Sequence, residues 1–265
     1  MRRPHIALLG YGAIGRAILQ AYPLDPAAPW LQTLVVRPGQ EEAVRNQVDP
    51  IIAVTAEVPE TTTLLLECAG HEAVASHVLP ALARGTRVGM VSTGALSDHV
   101  LLAELDSAAH RGQTQLHLLS GALGGIDALS AARGAGLEAV VYTGRKPPKA
   151  WIGTPAEHER DLGALSAPQV IFAGSAREAC RRYPKNANVA ATIALAGLGL
   201  DRTEVRLVAD PTIDRNGHSF EARGVFGAMQ VHLQVQPLVS NPKTSALTVW
   251  SAVRFLRSQQ AGIIV

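Results

Sequence analysis

The chain reads as an α/β protein, with an N-terminal doubly wound parallel sheet of Rossmann type followed by a smaller α+β domain whose sheet is mainly antiparallel. Three observations predict this. From Ile6 to Leu119 short apolar runs alternate with helical stretches, which is the grammar of βαβ units covered on both faces. A glycine loop, Gly10-Tyr11-Gly12-Ala13-Ile14-Gly15, directly follows the first apolar run and opens a helix. Beyond Gly125 apolar runs succeed one another with fewer helices between, which suits an antiparallel sheet. A length of 265 residues fits two unequal domains at roughly 150 residues each. The expected division is residues 1–120 for dinucleotide binding, 121–240 for an α+β substrate domain, and 241–265 for a C-terminal helix packing back on the first domain.

In chain order, strands are expected at Ile6–Leu9, Leu34–Val36, Thr63–Glu67, Arg87–Ser92 and Gln115–Leu119, each a short apolar run. Helices are expected at Ala13–Ala21, Glu41–Gln47, His71–Ala83 and Asp98–Ala109, where apolar residues recur at three- and four-residue spacing. Later strands are Leu137–Thr143, Glu204–Ala209, Ser219–Phe226 and Ala228–Gln236. In the last of these Met229, Val231, Leu233 and Val235 alternate with Gln230, His232, Gln234 and Gln236, so one face is buried and the other wet. Asn216-Gly217 is a strong hairpin signal, because both central residues of a type I′ turn need positive φ; His218 would then start a strand. Ala187–Leu198 reads as an alanine-rich helix with Asn186 as cap. Ser240-Asn241-Pro242 reads as a cap and first-turn proline opening a helix through Gln259.

Composition narrows the function classes. Hydrophobic residues at 47% against 17% charged exclude a disordered chain. With 24 basic and 22 acidic residues the net charge of +2 leaves no nucleic-acid footprint. Two cysteines, Cys68 and Cys180, build neither a disulfide framework nor a structural zinc site, and a reducing cytoplasm fits them. The first apolar run, Ile6–Leu9 after Arg2 and Arg3, is too short for a signal segment or a membrane span. Few aromatics and abundant glycine and alanine suit helices laid closely on sheets.

In the glycine loop Gly10 permits the tight turn, Gly12 lets backbone approach a pyrophosphate, and Gly15 allows close helix–strand packing, with the anion on free amides at Ala13 and Ile14. The expected cofactor is NAD or NADP. An NAD-selective site usually ends its second strand in a carboxylate; here that place holds Val36-Arg37-Pro38, and a guanidinium can accept a 2′-phosphate. Ligands in such folds bind at the carboxyl ends of the strands, which directs attention to Cys68-Ala69-Gly70, Ser92-Thr93-Gly94 and Ser120–Gly125. Their small side chains let a flat ring and ribose lie against backbone. A Cys68 thiolate would be disfavoured by Glu67 beside it, and Cys180 suits a helix face. On the residues alone, Lys185, Asn186 and Asn188 before the alanine-rich helix read equally as an anion-binding helix start or as an ordinary cap with a solvated lysine. His218 reads either as an exposed histidine after a turn or as an acid–base group.

Taken together, GYGAIG at 10–15, ECAGHEAV at 67–74, VSTGALSD at 91–98, SGALGGIDAL at 120–129, YTGRKPPKAW at 142–151, YPKNANVAAT at 183–192, NGH at 216–218 and SNPKTS at 240–245 resemble the L-aspartate dehydrogenase family. The resemblance spans nearly the whole chain. It implies a Rossmann domain with an α+β substrate domain, a homodimer, and NAD(P)-dependent oxidation of L-aspartate to iminoaspartate feeding NAD biosynthesis. It also implies that Ala122 and Asn188 contact the cofactor and that His218 is the active-site residue. Hydride leaves an amino acid's α-carbon only when the amine is neutral, so a base must take an ammonium proton, and His218 is the best-placed candidate. Two substrate carboxylates need cations or amide donors; Lys185, Lys243, Thr244 and the helix start at Asn241 are candidates. No metal is required. Rival readings are a reductase of homoserine or dihydrodipicolinate type on the same plan, or a non-catalytic dinucleotide-sensing regulator, which should carry a basic recognition helix that is not apparent.

Overall fold

The computed structural model describes residues 4–22, 31–259 and 261–264; Arg2 and Arg3 lie outside them. The chain divides into two compact units, one built from residues up to Leu119 together with those from Val249 onward, the other Ser120–Thr248.

The first unit carries six parallel strands, β1 (Ile6–Leu9), β2 (Thr33–Val35), β3 (Ala53–Thr55), β4 (Leu64–Glu67), β5 (Arg87–Met90) and β6 (Leu116–Leu118), in the order β3-β2-β1-β4-β5-β6. Every residue of β1 and β4 is buried, as a strand covered on both faces requires. The connecting helices are α1 (Ala13–Ala21), α2 (Glu41–Arg45), α3 (Leu79–Ala83) and α4 (His99–Arg111), with a π-helical turn at Val74–Val78 leading into α3. Asp98 caps α4 by accepting from the backbone N–H groups of Val100 and Leu101. Strand order reverses between β1 and β4, so a crevice opens at their carboxyl ends. The edge strand β3, only three residues long, is not anticipated by the apolar pattern.

The second unit holds a five-stranded sheet of β7 (Leu137–Lys146), β8 (Gln169–Ser175), β9 (Glu204–Ala209), β10 (Asn216–Gly224) and β11 (Gly227–Val235), in the order β11-β10-β7-β9-β8. It is antiparallel except for β7 and β9, which run parallel. A small ribbon follows, β12 (Pro237–Leu238) with β13 (Asn241–Ser245). The helices are α5 (Ile126–Gly134), α6 (Pro155–Glu159), α7 (Ala176–Arg182) and α8 (Asn188–Ala196). Trp151, Tyr142, Tyr183 and Phe220 form the bulky part of a core into which the alanines of α8 fit. On β7 the residues Val140, Tyr142, Gly144 and Lys146 face inward while Glu138 and Arg145 are exposed.

Four sequence readings are corrected here. Asn216-Gly217 is not a turn: both residues lie in β10, buried and without positive φ, and the hairpin turns instead at Val225-Phe226, with Gly227 at φ +110°. Ser240-Asn241-Pro242 does not open a helix, because 241–245 pairs as a strand with β12 and the helix begins at Ala246. Asn186 does not cap α8; its Nδ2 donates to the carbonyl of Ala150 at 3.2 Å. Strand β7 continues three residues past Thr143, and β8 is a strand that the apolar pattern does not anticipate.

The last helix, α9 (Ala246–Ser258), passes into the first unit at Val249. Phe255 packs on the first sheet at Gly89, where an added Cβ would meet its ring at 2.4 Å, and lies 5.3 Å from the His117 ring. Only glycine leaves room for that phenylalanine.

Candidate active site

In the first unit the carboxyl end of β1 runs into the glycine loop, and each glycine has a separate reason. Gly10 has φ +108°, and a Cβ there would lie 2.7 Å from Ala69 Cα. At Gly15 a Cβ would meet the Gly10 carbonyl oxygen at 2.1 Å, so α1 can sit against the loop only without a side chain. At Gly12 nothing lies within 4 Å, which leaves open space over the start of α1, where the amides of Ala13 and Ile14 begin the helix. A cavity of about 450 Å³ runs from this loop past Val36, Arg37, Cys68 and Ala69. The glycine lining and the helix start, which no side chain caps, fit a dinucleotide phosphate. Arg37 is exposed on that lining, at the end of β2.

Cys68 is held as a neutral thiol. Its Sγ donates to the carbonyl oxygens of Leu9 at 3.3 Å and Gly10 at 3.5 Å, and burial, with the Glu67 charge adding, pushes the thiol well above its ordinary range. Cys180 is buried, with its thiol pushed up to about 12 by burial. Sequence reasoning missed the positive role of Glu67. Its buried carboxylate accepts from the backbone of Ala69 at 2.8 Å, Gly70 at 3.0 Å and Ser92 at 3.0 Å, and from the Ser92 hydroxyl at 2.7 Å. One side chain thus ties together the two loops that follow β4 and β5.

In the second unit the network centres on His218. It is 2% exposed on the inner face of β10, opposite Gly144 of β7. Nδ1 lies 2.7 Å from the Tyr142 hydroxyl and Nε2 3.1 Å from the Ser245 hydroxyl. A neutral imidazole carries one proton, so it donates to one hydroxyl and accepts from the other. Burial, then the nearby Lys146 charge, pushes His218 down to about 3, and burial also raises the Tyr142 phenol, so both are neutral at physiological pH. Asn216 Nδ2 donates to the Ser245 hydroxyl at 3.1 Å, while its buried Oδ1 has no partner among the described residues. That acceptor suits an amine.

The other expected positions scatter around this centre. Lys243, Asn241 and Thr244 share β13 with Ser245, and Lys243 Nζ donates to the Ile152 carbonyl at 2.7 Å. Asn241 is taken up locally, its Nδ2 donating to the Thr244 hydroxyl and its Oδ1 accepting from the Lys243 backbone. Lys185 is exposed before α8. Ala122 is buried in the loop before α5 and Asn188 begins α8; a Cβ added at neighbouring Gly121 would lie 3.8 Å from Val189, so that loop abuts the helix start. Sequence reasoning also passed over Tyr142, Lys146, Asn216 and Ser245. The alternation along β7, carried on to Lys146, was the available signal for the first two.

A model described as the C-terminal part of aspartate dehydrogenase matches residues 127–259, and one described as the NAD-binding domain of homoserine dehydrogenase matches residues 10–119. An L-aspartate dehydrogenase from Ralstonia pickettii is 49% identical over 98% of this chain and 99% of its own length. One from Pseudomonas aeruginosa is 50% identical with the same coverage. Among solved structures, an aspartate dehydrogenase from Thermotoga maritima superposes with a TM-score of 0.78 over 99% of both chains at 27% identity.

Proposed function

The chain belongs to the L-aspartate dehydrogenase family, and on that premise we propose that it oxidises L-aspartate to iminoaspartate with NAD or NADP as acceptor, His218 serving as the proton acceptor. The observation that carries the assignment of His218 is its setting: a buried, neutral imidazole held between two hydroxyls beside a lysine. When bound, the dinucleotide supplies the hydride acceptor. The glycine loop and the amides of Ala13 and Ile14 hold its phosphates, Ala69 and Gly70 flank it, and Arg37 faces a 2′-phosphate if one is present. Ala122 and Asn188 enter this reading as further cofactor contacts on the strength of the family alone.

The amino acid arrives as an ammonium. His218 Nε2 takes one N–H proton, directly or through the Ser245 hydroxyl, and the freed lone pair forms the C=N bond as the α-C–H bond breaks and hydride departs. The proton later leaves His218 for solvent, so the balance is L-aspartate and oxidised dinucleotide giving iminoaspartate, reduced dinucleotide and a proton. Asn216 Oδ1, buried and without a partner among the described residues, is the acceptor for the amine in this reading. A histidine at about 3 is a weak acceptor by itself. Burial first, and then the Lys146 charge, hold it down; a substrate carrying two carboxylates offsets the second of these, so binding raises its basicity. A homodimer belongs to the same reading and rests on the family resemblance.

The test is dinucleotide reduction followed by absorbance with L-aspartate and L-glutamate. An extra methylene moves the distal carboxylate off fixed donors, so L-aspartate should exceed L-glutamate by at least roughly 10-fold in kcat/KM. Equal rates would sink the assignment.

A further inference from the structure

Lys146 is a buried cation to which the chemistry above gives no direct contact. It ends β7 on the face shared by Tyr142 and Gly144 and is 4% exposed. Burying an ammonium is costly unless an opposite charge and hydrogen bonds compensate. Its Nζ donates to the Lys243 carbonyl at 2.8 Å and lies 5.9 Å from the centre of the Trp151 ring. Among the described residues no carboxylate pairs with it: every ion pair uses another cation. Asp210, whose backbone N–H donates to the Lys146 carbonyl, turns its carboxylate to Arg145 and Thr212 instead. Among the described residues the titratable groups that interact with Lys146 are therefore Lys243 from β13 and His218 from β10. Burial first, then the Lys243 charge, brings Lys146 down to about 8.

Two cations without an anion among the described residues, set beside a neutral histidine, make a site that is incomplete until a negative group enters. We propose that Lys146, with Lys243 beside it, binds a carboxylate of the substrate and thereby sets both dicarboxylate specificity and the charge felt by His218. This rests on the L-aspartate reading and adds a residue to it. The order of events follows: the carboxylate seats on Lys146, the lysine charge is offset, and His218, still held down by burial, gains the part of its basicity that this charge removed. Proton abstraction is coupled to occupancy by the right acid.

Succinate carries two carboxylates and no amine, so it reports the subsite without turnover. With reduced dinucleotide bound, calorimetry should find that Lys146→Met weakens succinate about 10- to 100-fold, the scale of one charge-assisted contact, and raises KM for L-aspartate by a similar factor. In the wild type, succinate affinity should be flat below about pH 8 and fall about tenfold per pH unit above it, as Lys146 loses its proton. Neither succinate nor His218 titrates in that range, and this arm needs no variant to fold. Unchanged succinate affinity and KM in Lys146→Met, or a flat pH profile, overturns the inference. A wild type inert towards L-aspartate whose succinate binding still depends on Lys146 keeps the subsite and removes the substrate assignment; L-aspartate turnover indifferent to Lys146→Met does the reverse.

Discussion

Arg37 stands at the end of β2, where a carboxylate would hold a ribose 2′-hydroxyl, and it lines the same cavity as Gly10 and Gly12. A guanidinium there favours a 2′-phosphate through paired charge-assisted hydrogen bonds. Arg37→Asp should therefore raise the KM for NADP by about 10- to 100-fold while changing that for NAD far less, measured by initial rates with each dinucleotide. A proportionate loss with both would remove Arg37 from the ribose. His218 illustrates what one residue's neighbours do not reveal in sequence. Its place after Asn-Gly suggests an exposed turn position, yet Asn216 is buried and its side chain donates to Ser245, a partner about 30 residues away that no local pattern identifies. The same long-range hydroxyl holds His218 Nε2, so histidine and partner meet only through the fold, where β13 comes beside β10.

At the scale of elements, periodicity carried most of the first unit. Its central strands β1 and β4 are buried at every position and almost wholly apolar because both faces are covered, and its longer helices repeat at three and four. The three-residue β3 is too short to show either signature. Pro242 and the preceding serine mimic a helix start, but the backbone of 241–245 finds a partner in β12 and pairing prevails. On β7, Gly144 lies opposite His218, and a Cβ there would come within 3.0 Å of the Tyr142 hydroxyl and 3.3 Å of Leu207. The glycine keeps open the space in which phenol and imidazole meet. Gly144→Ala should displace the Tyr142 ring, costing about 1–3 kcal/mol of stability and lowering kcat by roughly 2- to 10-fold, the worth of one hydrogen bond. Tyr142→Phe, which removes the hydroxyl without adding bulk, should lower kcat by a similar factor. If Gly144→Ala melted early but kept full kcat, the Tyr142–His218 bond would have no part in turnover.

Across the whole molecule the proposed roles fall in separate units. The glycine loop, Arg37 and the Glu67 tether belong to the first unit, while His218, Tyr142, Ser245 and Lys146 belong to the second, each set held by contacts within its own unit. The change from a parallel sheet to a mainly antiparallel one was legible in the strand grammar after Gly125, because parallel strands need helical crossovers and antiparallel ones do not. The mixed pair β7 and β9 was not, since a parallel neighbour inside an otherwise antiparallel sheet leaves no mark on either strand's own alternation. The division makes the central claim separable: chemistry at His218 should fail without loss of dinucleotide. The direct measurement is His218→Ala, with exposed His232→Ala as control, each assayed for kcat with L-aspartate and for reduced-dinucleotide binding by fluorescence. A proton acceptor contributes about 10²- to 10⁴-fold, so His218→Ala should lose that much in kcat while binding dinucleotide within about twofold of wild type, and His232→Ala should match wild type. Retention of more than about half of kcat by His218→Ala, or loss of dinucleotide binding together with activity, would contradict the account.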